Sequence, residues 1–142
     1  EEVPDEPYAI PLGQARIARE GSDVTLITWG SLVRTSLEVA EGMKETSVEV
    51  VDVRTISPFD EKTVLESVKK TGRAVIVCEA PKSGSFSGEI SARIAEKAMM
   101  SLQAPIQRVT GYDVPIPLAK LEDYYLPDTT RIRRAVEEVA RF

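Results

Sequence analysis

The chain predicts an α/β domain, with a mostly parallel sheet between two helical layers, and three observations support this. Short, β-branched apolar runs alternate with amphipathic stretches of helical period along the chain. Glycine, proline and capping residues punctuate these pieces at strand and helix lengths. The 142 residues suit one domain and leave no room for two ordinary ones.

The elements follow in order. ARIAREG (15–21) alternates weakly and ends on Gly21, an edge-strand pattern. DVTLITWG (23–30) is β-branched and closes on Gly30, as a buried strand does. Ser31 is placed to cap a helix whose apolar face is Leu32, Val33, Leu37, Val39, Ala40 and Met43. VEVVDVRTI (48–56) reads as the next strand, stopped by Pro58. Asp60 is a natural N-cap for DEKTVLESVKK (60–70), which ends on lysines favoured by the helix dipole, and Gly72 closes it. AVIVCEA (74–80) is a continuous apolar strand. The loop 81–85 leads into a helix over 88–100, with Ser85 or Ser87 as its cap. APIQRVT (104–110) makes another strand, residues 111–128 a proline-rich connection, and Asp128 caps a last helix that runs to Phe142. Four strands thus alternate with four helices after a weaker edge strand, the pattern of a parallel sheet covered on both faces.

Composition narrows the function. Apolar content of 42% with 29% charge reads as globular. A net charge of -5 disfavours nucleic acid, because few cations are available to displace counterions from phosphate. No apolar run approaches the roughly 20 residues that span a bilayer, and the opening residues do not read as a signal peptide. Cys78 is the sole cysteine, so no internal disulfide forms, which fits a reducing cytosolic or organellar-matrix compartment. Histidine is absent, which excludes Ser-His-Asp, Cys-His and imidazole-metal sites. Residues 1–11 open with EEVPDEP, whose like charges and prolines read as an interdomain linker ahead of a domain over 12–142.

In a doubly wound sheet, function gathers at the carboxyl ends of the strands. Those ends offer Trp29 and Gly30, Asp52 and Arg54, Cys78 and Glu79, then Arg108, Thr110, Gly111 and Asp113. A structural ion pair of Arg54 with Glu79 or Asp52 is the expectation there, since such pairs mark structural networks as readily as active sites. SGSFSG (83–88) sits between strand and helix, where amides can cradle a phosphate, but lacks the P-loop lysine and the dinucleotide spacing. Phe86 stands where a nucleophile elbow needs serine. Burial and a neighbouring carboxylate disfavour a Cys78 thiolate. The residues describe a domain with no self-contained catalytic apparatus.

Three ordered stretches carry a resemblance: YAIPLGQARIAREGSDVTLITWGSLV, VEVVDVRTISPFDEKTVLESVKKTGRAVIVCEAP and LQAPIQRVTGYDVPIPLAKLEDYYLPDTTRI. Together they resemble the C-terminal domain of beta subunits of thiamine diphosphate-dependent 2-oxo acid dehydrogenases, over nearly the whole chain. Pyruvate and branched-chain types both fit, with Gly111-Tyr112-Asp113 leaning toward the latter. The resemblance implies a transketolase C-terminal-like fold: a five-stranded mixed sheet with one antiparallel edge strand in a three-layer sandwich. It implies partners too: an alpha subunit, a second beta subunit and the dihydrolipoyl acyltransferase core. Thiamine diphosphate and magnesium are implied for the whole enzyme, bound by other domains, so no catalytic, cofactor-binding or metal residue is assigned here. It implies a prokaryotic cytoplasm or a mitochondrial matrix.

The expected role is assembly and docking. Phe142 and Arg141 at the terminus form the expected anchor, with Gln103, Glu122 and Asp123 as further docking candidates facing a basic acyltransferase domain. Two positions depart from many relatives. Gly84-Ser85-Phe86-Ser87 replaces Gly-Gly-Phe-Gly, and Gln103 stands where an acid is common. The C-terminal domain of another transketolase-type enzyme and a free-standing flavodoxin-like nucleotide module remain the alternatives.

Overall fold

The computed structural model describes residues 6–117 and 119–142, so the first five linker residues lie outside the described part. Five strands form one sheet in the order β1-β3-β2-β4-β5. They are β1 (Arg16–Arg19), β2 (Val24–Thr28), β3 (Val48–Asp52), β4 (Ala74–Pro81) and β5 (Gln107–Gly111). β1 runs antiparallel to β3, and every other pairing is parallel. The sheet is therefore mixed, with one antiparallel edge, as expected.

Helices cover both faces. α1 (Leu32–Gly42) and α5 (Thr129–Ala140) pack on one side, with Leu26, Val50, Val77, Val109, Ile132 and Val136 in one core. α2 (Glu61–Thr71) and α3 (Phe86–Ala98) pack on the other, around Ile27, Val51, Ile76, Ile90 and Ile94. Successive residues of a strand point to opposite faces, so a strand covered twice is apolar throughout. That is why AVIVC reads as an unbroken apolar run. Burying each such side chain contributes roughly 1.5–3 kcal/mol.

Caps mark the boundaries. Asp60 accepts the Thr63 amide at 3.1 Å, Asp128 accepts the Arg131 amide at 2.7 Å, and Gly72 closes α2 at φ 71°. Other boundaries depart from expectation. β3 stops at Asp52, not at 56, because Arg54 takes φ 60° and turns the chain away from the sheet. Val53 is fully buried beyond the last pairing, so its apolarity reported burial and not strand length. Ser31 and Ser85 stand at the N-caps of α1 and α3, yet neither hydroxyl caps. Ser31 donates to Glu79 instead, and Ser85 shares a hydrogen bond with Ser87 at 2.6 Å. α3 begins at Phe86, two residues early, which seats that ring edge-on between Trp29 and Phe59, with centroids 6.2 and 5.3 Å away. α5 ends at Ala140, leaving Arg141 and Phe142 beyond the helix. The 111–128 connection holds a 3-10 turn and the short helix α4 (Glu122–Tyr125).

Candidate functional site

The chain passes from β2 to β3 on one side of β2 and then returns to place β4 on the other. The order reverses between β2 and β4, so their carboxyl ends flank the crevice where doubly wound sheets bind ligands. Here that crevice is bridged. The Ser31 hydroxyl, following β2, donates to the Glu79 carboxylate of β4. Glu79 is thus held by Ser31, while Arg54 lies 3.9 Å from Asp52. Among the described residues Arg54 and Glu79 form no ion pair, and of the two expected partners Asp52 is the one observed. Geometry explains the choice: Asp52 and Arg54 share one tight turn, in which Asp52 Oδ1 accepts the Arg54 amide at 3.1 Å. Arg16 of β1 reaches the same carboxylate at 3.5 Å, across the Arg16–Asp52 register pair.

The glycine-serine turn is likewise occupied. The Ser83 amide and hydroxyl both donate to Asp113, at 2.8 and 2.7 Å. Those bonds hold the Asp113 carboxyl below the usual carboxylate range, so it stays ionised at neutral pH. A fixed negative charge therefore stands against this turn. Arg108 donates to the Lys82 carbonyl at 3.2 Å and tightens the same loop. Gly111 permits a close approach, since a Cβ there would meet the Tyr125 ring and come within 2.6 Å of the Glu79 carbonyl. Cys78 is buried in β4.

The docking candidates separate into two groups. α5 runs from the carboxyl end of the sheet to its amino end, where Arg73, just before β4, donates to the Val139 carbonyl at 3.1 Å. Arg141 and Phe142 therefore emerge at the amino end, with Phe142 70% exposed. Gln103 is there too, its amide on the Gly72 carbonyl at 2.7 Å. Glu122 and Asp123 lie in α4, before α5 begins, at the opposite end. The 12 residues of α5 span roughly 18 Å, which sets the two groups apart.

One group was not singled out from the sequence. Glu49 on β3 is 1% exposed, and it accepts from Ser67 at 2.5 Å and from Lys70 of α2. Thr25 bonds Ser67 and Thr71 at 2.7 Å each, closing the network. Burial alone would raise the Glu49 pKa, but the hydrogen bonds from Lys70 and Ser67 outweigh it and hold the group below its ordinary value. The signal was a carboxylate flanked by valines inside a strand, which must find a partner once buried.

Residues 13–132 match the family described as transketolase, C-terminal domain. The chain belongs to that family. It is 54% identical over 131 residues to the mitochondrial 2-oxoisovalerate dehydrogenase subunit beta of Dictyostelium discoideum, covering 90% of this chain and 35% of that one. It is 43% identical over 146 residues to the pyruvate dehydrogenase E1 component subunit beta of Acholeplasma laidlawii, covering 99% and 44%. This transketolase C-terminal domain thus spans less than half the length of the curated relatives it matches. A solved split-gene transketolase, described as an inactive beta4 tetramer, superposes with a TM-score of 0.83 at 24% identity, over 99% of this chain and 46% of that one. The last likeness speaks for the fold alone.

Proposed function

We propose that this domain belongs to the beta subunit of a thiamine diphosphate-dependent 2-oxo acid dehydrogenase, which oxidatively decarboxylates pyruvate or a branched-chain 2-oxo acid and passes the acyl group to lipoyl groups. The observation that carries the reading is the 54% identity over 90% of the chain to a subunit named for 2-oxoisovalerate. Within that enzyme the domain serves assembly and docking. The glycine-serine turn at 83–88 does not suit a diphosphate. The one glycine-serine turn between a strand and a helix gives its Ser83 donors to the ionised Asp113, which would repel a diphosphate. No catalytic step is therefore assigned to this domain.

Association with an alpha subunit and a second beta subunit is supported by the 112–124 connection. Tyr112, Val114, Ile116, Leu121 and Tyr124 are each 51–78% exposed there, a run of large apolar groups suited to a subunit contact. The acyltransferase core is assigned to the amino end, where the Phe142 ring is exposed. Such a ring can seat in an apolar groove of the partner. Gln103 lies at that end, whereas Glu122 and Asp123 are too distant to take part in the same contact. Deleting Phe142 from the assembled enzyme should raise the Kd for the acyltransferase's subunit-binding domain about tenfold, or about 1.4 kcal/mol. The melting temperature should not change. Unaltered binding by the truncated enzyme would remove the terminus from the docking face.

A further inference from the structure

An open cleft of about 910 Å³ lies beside the bridged crevice, over the ends of β2 and β3. Its polar wall carries Arg16, Arg34 and Arg54 against a single lining carboxylate, Asp52. Asp52 is shared between Arg16 and Arg54, and Arg34 makes no ion pair among the described residues. Three guanidinium groups thus share one lining carboxylate, with Glu79 held at the edge by Ser31. The rest of the lining includes the apolar side chains of Ile10, Leu12 and Leu37, of which Ile10 and Leu12 are 52% and 78% exposed.

We propose that this cleft binds a small carboxylate with an apolar body. The planar guanidinium fork matches a carboxylate in a bidentate geometry. The apolar lining then removes the ligand's body and the two exposed side chains from water together. The volume falls within the range of small-molecule sites. α1 begins in the same wall and adds to the positive field. Its N-terminus has no acidic residue in the first turn, and the Ser31 hydroxyl is spent on Glu79. Arg54 reaches the wall from the one positive-φ backbone among the described non-glycine residues, a conformation that recurs at ligand clamps. A phosphate alone would use the arginines and leave the apolar lining bare.

The test is an NMR titration of the isotope-labelled chain with hexanoate, acetate, hexanol and inorganic phosphate. Hexanoate should move the amide signals of Gly30, Ser31, Arg34 and Thr55 saturably, and the other three probes should bind about tenfold or more weakly. Arg34→Gln, at an exposed position, should weaken hexanoate about tenfold while the spectrum stays dispersed. Leu12→Ser should bring hexanoate toward acetate and leave acetate unchanged. Absence of saturable shifts, equal binding of phosphate and hexanoate, or an unchanged affinity in Arg34→Gln would each overturn the proposal.

Discussion

At the amino end of the sheet, Glu49, Lys70, Ser67 and Thr25 close on one another. At the carboxyl end, the same kinds of group (Asp52, Arg16, Arg54 and Ser31) leave a cleft open. The difference lies in how each carboxylate is satisfied. Glu49 is 1% exposed and has two side-chain donors on α2 plus the Gly21 amide at 3.4 Å. A charge taken that far from water must keep all its partners, or the fold loses several kcal/mol. Asp52 keeps contact with water and holds its guanidinium partners at 3.5 and 3.9 Å, so it can exchange them for a ligand at little cost. An ion pair near a strand end thus means architecture where it is sealed and binding capacity where it is not.

The largest expected effect comes from breaking the sealed end. Glu49→Ala should cost about 3 kcal/mol in urea unfolding, the low end for a buried pair, because Lys70 retains Glu20 at 3.2 Å and can reach water. A loss below about 1 kcal/mol would mean the network carries no more than a surface pair.

pH sharpens the comparison. The Glu49 pKa lies below its ordinary 4.5 in the folded chain. A depressed carboxylate contributes stability that is complete above the unfolded value and lost as pH falls through the folded one. Lys70 is raised above its ordinary 10.5, chiefly by Glu49, so its contribution is complete below that value and lost as pH rises past it. The stability gap between the wild-type chain and Glu49→Gln should therefore be constant at neutral pH and shrink below about 4.5. A gap that does not narrow in acid would show that Glu49 is not held ionised by its neighbours.

The smallest effect belongs to the open end. A double-mutant cycle of Asp52→Asn with Arg54→Met should give a coupling under about 1 kcal/mol. The same cycle with Glu79→Gln in place of Asp52→Asn should give none. A coupling of several kcal/mol at Asp52 would make this end as closed as the other.

Much of this was legible in the sequence, element by element. Asp60, Gly72 and Asp128 cap as their residue types require, because a cap is a local hydrogen bond or a local φ. Asp60 also fastens the Ala15 amide at 2.9 Å, a second task that no local pattern discloses. Ser31 and Ser85 occupy cap positions yet spend their hydroxyls elsewhere, since a hydroxyl takes the best acceptor in reach and the fold decides what is in reach. The apolar tail of VEVVDVRTI suggests strand, yet Val53 lies past the last sheet pairing and is buried all the same. Hydropathy reports burial, and burial does not need a ladder.

By itself, the sequence determined the alternation of strands and helices, coverage of the sheet on both faces, and the exclusion of histidine chemistry. These depend on composition and on periods of 2 and 3.6 residues, which are properties of neighbours along the chain. Tertiary structure alone decided that Glu79 answers Ser31 and Arg54 answers Asp52. It also decided that Glu49 meets Lys70, 21 residues away, and that Phe142 and Glu122 leave opposite ends of α5. Such pairings are set by strand order and helix direction, and charges choose partners by distance in space, which spacing along the chain does not encode.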